Sequence, residues 1–236
     1  MQPATSVYSR CNNRCATTLV RERNPSLFDI EFRISVTASR WFAAERATDY
    51  NEPVDFELVL RTLITAFSRL GIRCAVIGGF ALGVLGVPRQ TMDLDFLVHG
   101  DDLKKLDGAL TALGYAREFQ SENVSQYRHP DAVWGSVDFI HAFRAISLAM
   151  LDRAKDYPTL GGNQGLRTAE PEDVIGLKVQ AMSNDSERKS FEQNDIERLM
   201  ARYGSRLDWD RIQEFYDVFG LSEEARKLRE RFDRAE

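Results

Sequence analysis

Residues 72–98 read IRCAVIGGFALGVLGVPRQTMDLDFLV. The first six residues are a short apolar run bounded by glycines, the pattern of a strand buried on both faces. Gly78-Gly79 then opens a small-residue stretch, 80–85, that reads as a helix, and residues 94–98 read as a second strand. Thirteen residues separate Gly79 from Asp93-Leu94-Asp95. Alternate side chains of a strand share a face, so Asp93 and Asp95 project together while Leu94 and Phe96 pack the other way. Two such carboxylates repel, and one tends to stay protonated unless a divalent cation turns the pair into a ligand set. Magnesium suits them, with manganese as the alternative ion, because it takes hard oxygen ligands, keeps several waters and bridges to nucleotide phosphates. A second ion, about 3.5–4 Å from the first, would need a third carboxylate. Asp138, in Ser136-Val137-Asp138-Phe139-Ile140, is the best placed, since it interrupts an apolar strand where an unpartnered charge is costly. The glycines let backbone N–H groups approach phosphate oxygens at a helix start.

Outward from this block, apolar residues recur at helical spacing over residues 54–70 and end at Gly71, a C-cap residue. Residues 101–113 read as a helix, and 115–119, 124–128 and 133–140 as further strands, giving a mixed sheet with helices on it. Beyond Pro171, suited to a first helical turn, the pattern is helical to the end, with breaks near 184–186, Gly204 and Gly220. Val174, Leu177, Ala181 and Met182 form an apolar stripe with Lys178 inside it. Asp195 sits between Phe191 and Leu199 at a spacing of four. The division this suggests is an arm over 1–51, an α/β core over 52–165 and a helical part over 166–236. The arm shows no periodicity and reads as poorly ordered; its Arg and Ser content suggests a transit peptide, which its acidic residues argue against.

At 236 residues, with 43% hydrophobic and 28% charged residues, the chain has the composition of a soluble globular protein. A formal net charge of −5 argues against a broad basic surface for nucleic acid, so an RNA substrate would need a local patch in the Arg-rich C-terminal third. No run approaches a membrane span and no secretory signal is evident, which places the expected location in the cytoplasm. The three cysteines, Cys11, Cys15 and Cys74, have neither the number nor the spacing of a disulfide framework or a zinc site. His99, His129 and His141 show no ligand spacing, and Tyr127 and Trp134 read as core aromatics rather than a base-stacking platform.

Taken together, Gly78-Gly79-Phe80-Ala81-Leu82 followed by Arg89-x-Thr91-x-Asp93-Leu94-Asp95-Phe96 resembles the signature of the DNA polymerase β-like nucleotidyltransferase superfamily. The nearer likeness is to AbiEii-type and related small prokaryotic members. It extends through Pro171-Glu172-Asp173-Val174-Ile175-Gly176-Leu177-Lys178, Arg188-Lys189 and Asn194-Asp195-Ile196, covering roughly residues 72–199. The resemblance implies an α/β (α+β) nucleotidyltransferase fold and transfer of a nucleoside monophosphate from a nucleoside triphosphate. Asp93, Asp95 and Asp138 would be metal-binding and catalytic, Gly78 and Gly79 nucleotide-binding, and Lys178 a phosphate contact, the alternative being a snorkelling lysine. Arg89 and Thr91 would contact phosphate or fix their loop, and Asp195 would orient Lys178 or substrate. The implied acceptor is a tRNA 3′ end, as for toxins with a cognate antitoxin, a protein side chain, or a small molecule such as an aminoglycoside. A catalytically silent, antitoxin-like binding module is the reading of a different class.

Overall fold

In the computed structural model of the protein, the described residues are 54–91, 93–159 and 162–233. The arm and the first two cysteines lie outside them. Helix α1 (Phe56–Leu70) starts where the Asp55 side chain accepts from the Leu58 N–H and stops at Gly71, whose left-handed φ of 62° lets its N–H close on the last turn. Then come β1 (Cys74–Ile77), α2 (Gly78–Val84), β2 (Asp93–His99), α3 (Leu103–Ala112), β3 (Ala116–Gln120), β4 (Val124–Arg128) and β5 (Ser136–Ala142). The remainder is α4 (Ala145–Arg153), β6 (Lys155–Thr159), β7 (Gly162–Thr168), α5 (Pro171–Asn184), α6 (Lys189–Tyr203), α7 (Trp209–Val218) and α8 (Ser222–Phe232).

The strands form one mixed sheet in the order β3-β4-β5-β2-β1-β7-β6. Two neighbours run parallel, β2 with β5 and β1 with β7, and the other four pairings are antiparallel. The α/β mixed-sheet expectation therefore holds. Helix α2 begins at Gly78 itself, two residues before the expected start, and the expected strand over 133–140 begins only at Ser136, because 132–134 form a single 3₁₀ turn. Helix α4 and strands β6 and β7 fill a stretch for which periodicity predicts nothing; β6 carries a proline and β7 two glycines, residues that mask a strand pattern.

Phe67 of α1 meets Phe96 of β2 edge-on at 5.9 Å and Phe139 of β5 at 6.1 Å, while Phe96 and Phe139 stack at 5.5 Å. These rings bury the apolar alternation of both strands and leave the carboxylate alternation to the opposite face. The helical part docks on the sheet through paired charges. Arg153 of α4 makes a two-pronged bond to Asp173 of α5, at 2.7 and 3.1 Å, and the Asp173 side chain is fully buried. Arg211 of α7 bridges Glu170 and Glu172, and Lys155 of β6 also reaches Glu170. Removing one partner from such a buried set typically costs about 3–5 kcal/mol, so the set fixes where α5 sits. Among the described residues, no helix is long and apolar enough to cross a membrane.

His141 at the β4–β5 seam is buried, with Nδ1 2.8 Å from the Glu122 carbonyl and Nε2 3.0 Å from Ser125 Oγ. A neutral ring donating from Nδ1 and accepting at Nε2 satisfies both contacts. Burial pushes its pKa below the ordinary 6.5. A depressed folded-state pKa gives stability that is complete above the unfolded value and is lost as pH falls towards the folded one. Urea denaturation should therefore show wild-type stability declining between about pH 7 and pH 5, with a flatter decline in His141→Gln.

Candidate active site

The site lies on the β5-β2-β1 part of the sheet. In the parallel pairing, Asp95 is opposite Asp138 and Asp93 is opposite Ser136, while antiparallel β1 brings Ile77 opposite Asp95. Residues paired across a ladder share a face, so Asp93, Asp95 and Asp138 stand together although 45 positions separate the first from the last. Among the described residues, no group of three or more His, Cys, Asp or Glu side chains has the arrangement of a metal site. One or two carboxylates are what magnesium ordinarily takes from a protein, with water and phosphate oxygens in its remaining positions.

Strand β1 runs directly into the glycine turn. Gly78 has φ +65°, and a Cβ there would lie 2.0 Å from Asp95 Oδ2. Two independent constraints thus exclude a side chain at Gly78: the left-handed backbone and the carboxylate pressed against it. At Gly79 a Cβ would meet Thr91 Oγ1 at 2.9 Å and Arg89 Nε at 3.3 Å. The Thr91 hydroxyl donates to the Asp93 carbonyl at 3.2 Å and so ties the loop to the first carboxylate position of β2. The donor set and the Cβ-free space beside it fit a divalent cation carrying a phosphorylated ligand.

Three expected residues, Arg89, Lys178 and Asp195, belong to a neighbouring charged chain. Arg89 Nη1 lies 2.6 Å from Asp195 Oδ2, and Lys178 Nζ lies 2.7 Å from the same oxygen. Lys178 also donates to Glu192 Oε2 at 2.7 Å, and Arg188 reaches the other Glu192 oxygen at 2.5 Å. Arg89 additionally covers the Phe191 ring, its Cζ 4.2 Å from the centroid. Lys178 faces inward, as its place in the apolar stripe suggests, but its ammonium is committed to two carboxylates. Asp195 Oδ2 thus accepts from both Lys178 and Arg89.

Two residues, Gln126 and Glu192, escape a reading of the sequence, and a third, Arg188, enters it only as part of the family resemblance. Gln126 of β4 lies opposite Asp138 and donates to its Oδ1 at 3.2 Å, a contact that becomes visible only with the β4–β5 register. Glu192 and Arg188 extend the charged chain; their spacing of four on a helix is a signal, though it looks the same on any solvated face. Tyr127 is a core residue with its hydroxyl on Asp107, and Trp134 is half-buried, packed against the core on Tyr115 and His129. His99 and His129 accept backbone N–H groups of Asp101 and Asp131 and stand outside the site.

A family model described as an uncharacterised nucleotidyltransferase matches residues 35–229. No curated protein matches the sequence. Among solved structures, the antibiotic-resistance factor ANT(2″)-Ia in solution is similar over 74% of this chain and 96% of its own, at 12% identity and a TM-score of 0.53. The crystal structure of ANT(2″)-Ia in complex with adenylyl-2″-tobramycin is similar over 69% and 95%, at 14% identity and a TM-score of 0.54. At these identities the likeness concerns the fold.

Gly78→Ala should cost about 1–2 kcal/mol from the left-handed backbone alone, with a further loss as Asp95 is pushed aside. Gly79→Ala, helical in backbone and meeting side-chain atoms of a surface loop, should cost less. Chemical denaturation of the two variants side by side measures the difference.

Proposed function

Because the chain belongs to this family of nucleotidyltransferases, we propose that it is a metal-dependent enzyme that moves a nucleoside monophosphate from a nucleoside triphosphate to an acceptor hydroxyl. The observation that carries this reading is the register that sets Asp138 beside Asp95, opposite the glycine turn. A structural role alone would not explain three carboxylates on one face of a sheet whose other face is packed with phenylalanines.

In this reading Asp93 and Asp95 would hold the magnesium of a bound triphosphate, with manganese as the alternative ion, and Asp138 would complete a second metal position. When bound, these ions would supply neutralisation of the charge that develops on the phosphates. Gly78 and Gly79 admit the triphosphate to within reach of the backbone, and Arg89 faces its negative charge from the side of Gly79. Thr91 keeps the loop in place. Asp138, aimed by Gln126, accepts the proton of the acceptor hydroxyl. The acceptor oxygen bonds to the α-phosphorus, the bond from that phosphorus to the bridging oxygen breaks, and pyrophosphate leaves. Positioning and charge neutralisation supply most of the rate.

The acceptor classes are a tRNA 3′ end, which would fit a toxin held by an antitoxin, a protein side chain, and a small molecule of the aminoglycoside type. Incubation with each α-labelled nucleoside triphosphate, magnesium and total tRNA, then with tobramycin, separates them. Label should move to one acceptor with wild type, and Asp93→Ala/Asp95→Ala should lower transfer by at least about a thousandfold, the scale of losing a main electrostatic stabiliser. Equal transfer by the variant would refute the metal-site assignment. Magnesium-independent binding with no transfer to any acceptor would favour a silent binding module.

A further inference from the structure

The charged chain beside the glycine turn has an order that a set of interchangeable phosphate contacts would not need. Lys178 is innermost, its side chain only 7% exposed, between two carboxylates that are each 2% exposed. Arg89 and Arg188 are outermost, at 21% and 39%. Each carboxylate joins the central ammonium to one arginine: Asp195 takes Arg89, and Glu192 takes Arg188. Three cations against two carboxylates leave one positive charge, and the arginines are the more exposed cations of the set.

Arg89, not Lys178, adjoins the site. Its Nε lies 3.3 Å from where a Gly79 Cβ would be, one residue from the glycine that touches Asp95. The loop that carries it is strapped along α6, where Arg198 donates to the Pro88 carbonyl at 2.8 Å and the Tyr203 hydroxyl to the Leu85 carbonyl at 3.1 Å. A planar guanidinium held on one edge by a carboxylate and on its face by Phe191 is preorganised for a phosphate.

We propose that Lys178 is a positioning residue: it keeps the buried carboxylates Asp195 and Glu192 in place, and through Asp195 it sets Arg89 to receive the triphosphate, without touching the nucleotide itself. Without the ammonium, the two desolvated carboxylates repel and turn apart, and Arg89 follows Asp195 away from Gly79. This rests on the reading of the Gly78-Gly79 turn as the triphosphate cradle.

Calorimetric titration with magnesium tripolyphosphate, which carries no base or sugar, tests the proposal on wild type, Arg89→Met, Lys178→Met and the double variant. Each single change should weaken binding about tenfold or more, as expected for a charge-assisted hydrogen bond. The double variant should be within about twofold of Arg89→Met, since Lys178 acts only through that arginine. Multiplied losses in the double variant, or no loss in Lys178→Met, would overturn the positioning role.

Because Lys178→Met leaves two buried carboxylates facing each other and can fail to fold, the charge-balanced Lys178→Met/Glu192→Gln gives a second decision. It leaves Asp195 paired with Arg89, so its affinity should stay within about threefold of wild type; a tenfold loss would mean that Lys178 binds phosphate itself. If wild type binds no tripolyphosphate, the cradle reading falls and the proposal with it. If wild type binds and the losses multiply, the positioning role alone falls.

Discussion

The parallel pairing of β2 with β5 is the constraint on which the rest of the structure depends. It sets two carboxylates, Asp95 and Asp138, side by side at the centre of a seven-stranded sheet, where their repulsion must be offset by a cation or by hydrogen bonds. The opposite face of the same strands carries Phe96 and Phe139 in contact with Phe67, so burial of these rings holds the register that brings the acids together. A slip of one residue would turn the carboxylates of the slipped strand onto the phenylalanine face and its phenylalanines onto the carboxylate face. The force that stabilises the fold and the force that strains the site act through the same seven residues of β2.

Around that pair, each neighbouring element is adapted to charge. Strand β1 runs straight into Gly78 because only a residue without a side chain fits against Asp95. Helices α5 and α6 supply a buried lysine and two buried carboxylates, of which Asp195 pairs with Arg89 and Glu192 with Arg188. A separate charged set around Asp173 and Arg211 joins the helices to the sheet. Cations held by the helices and by the Arg89 loop thus stand next to an acidic sheet face, an arrangement in keeping with the proposed anionic ligand and its metal.

Much of this was legible in the sequence because it is local. The alternation Asp93-Leu94-Asp95-Phe96 announces a two-faced strand, and Gly78-Gly79 after an apolar run announces a turn under backbone constraint. Asp138 was legible as a charge inside an apolar strand, but its place beside Asp95 depends on a pairing between strands distant in the chain. Gln126 gave no local signal at all. Strands β6 and β7 stayed hidden because Pro158 and two glycines interrupt their alternation. The place of Lys178 in an apolar stripe announces that it faces inward; that it meets Glu192 and Asp195 follows only from how α5 and α6 cross.

The measurement that tests the central claim most directly is manganese binding followed by electron paramagnetic resonance, with and without a non-hydrolysable nucleoside triphosphate. Two or three carboxylates without a closed cage should bind the ion weakly alone and at least about tenfold more tightly with the nucleotide, whose phosphates complete its coordination. Asp95→Asn should abolish that gain. Manganese binding indifferent to nucleotide, or unchanged by Asp95→Asn, would contradict the account, because the paired carboxylates would then have no part in holding metal and triphosphate together.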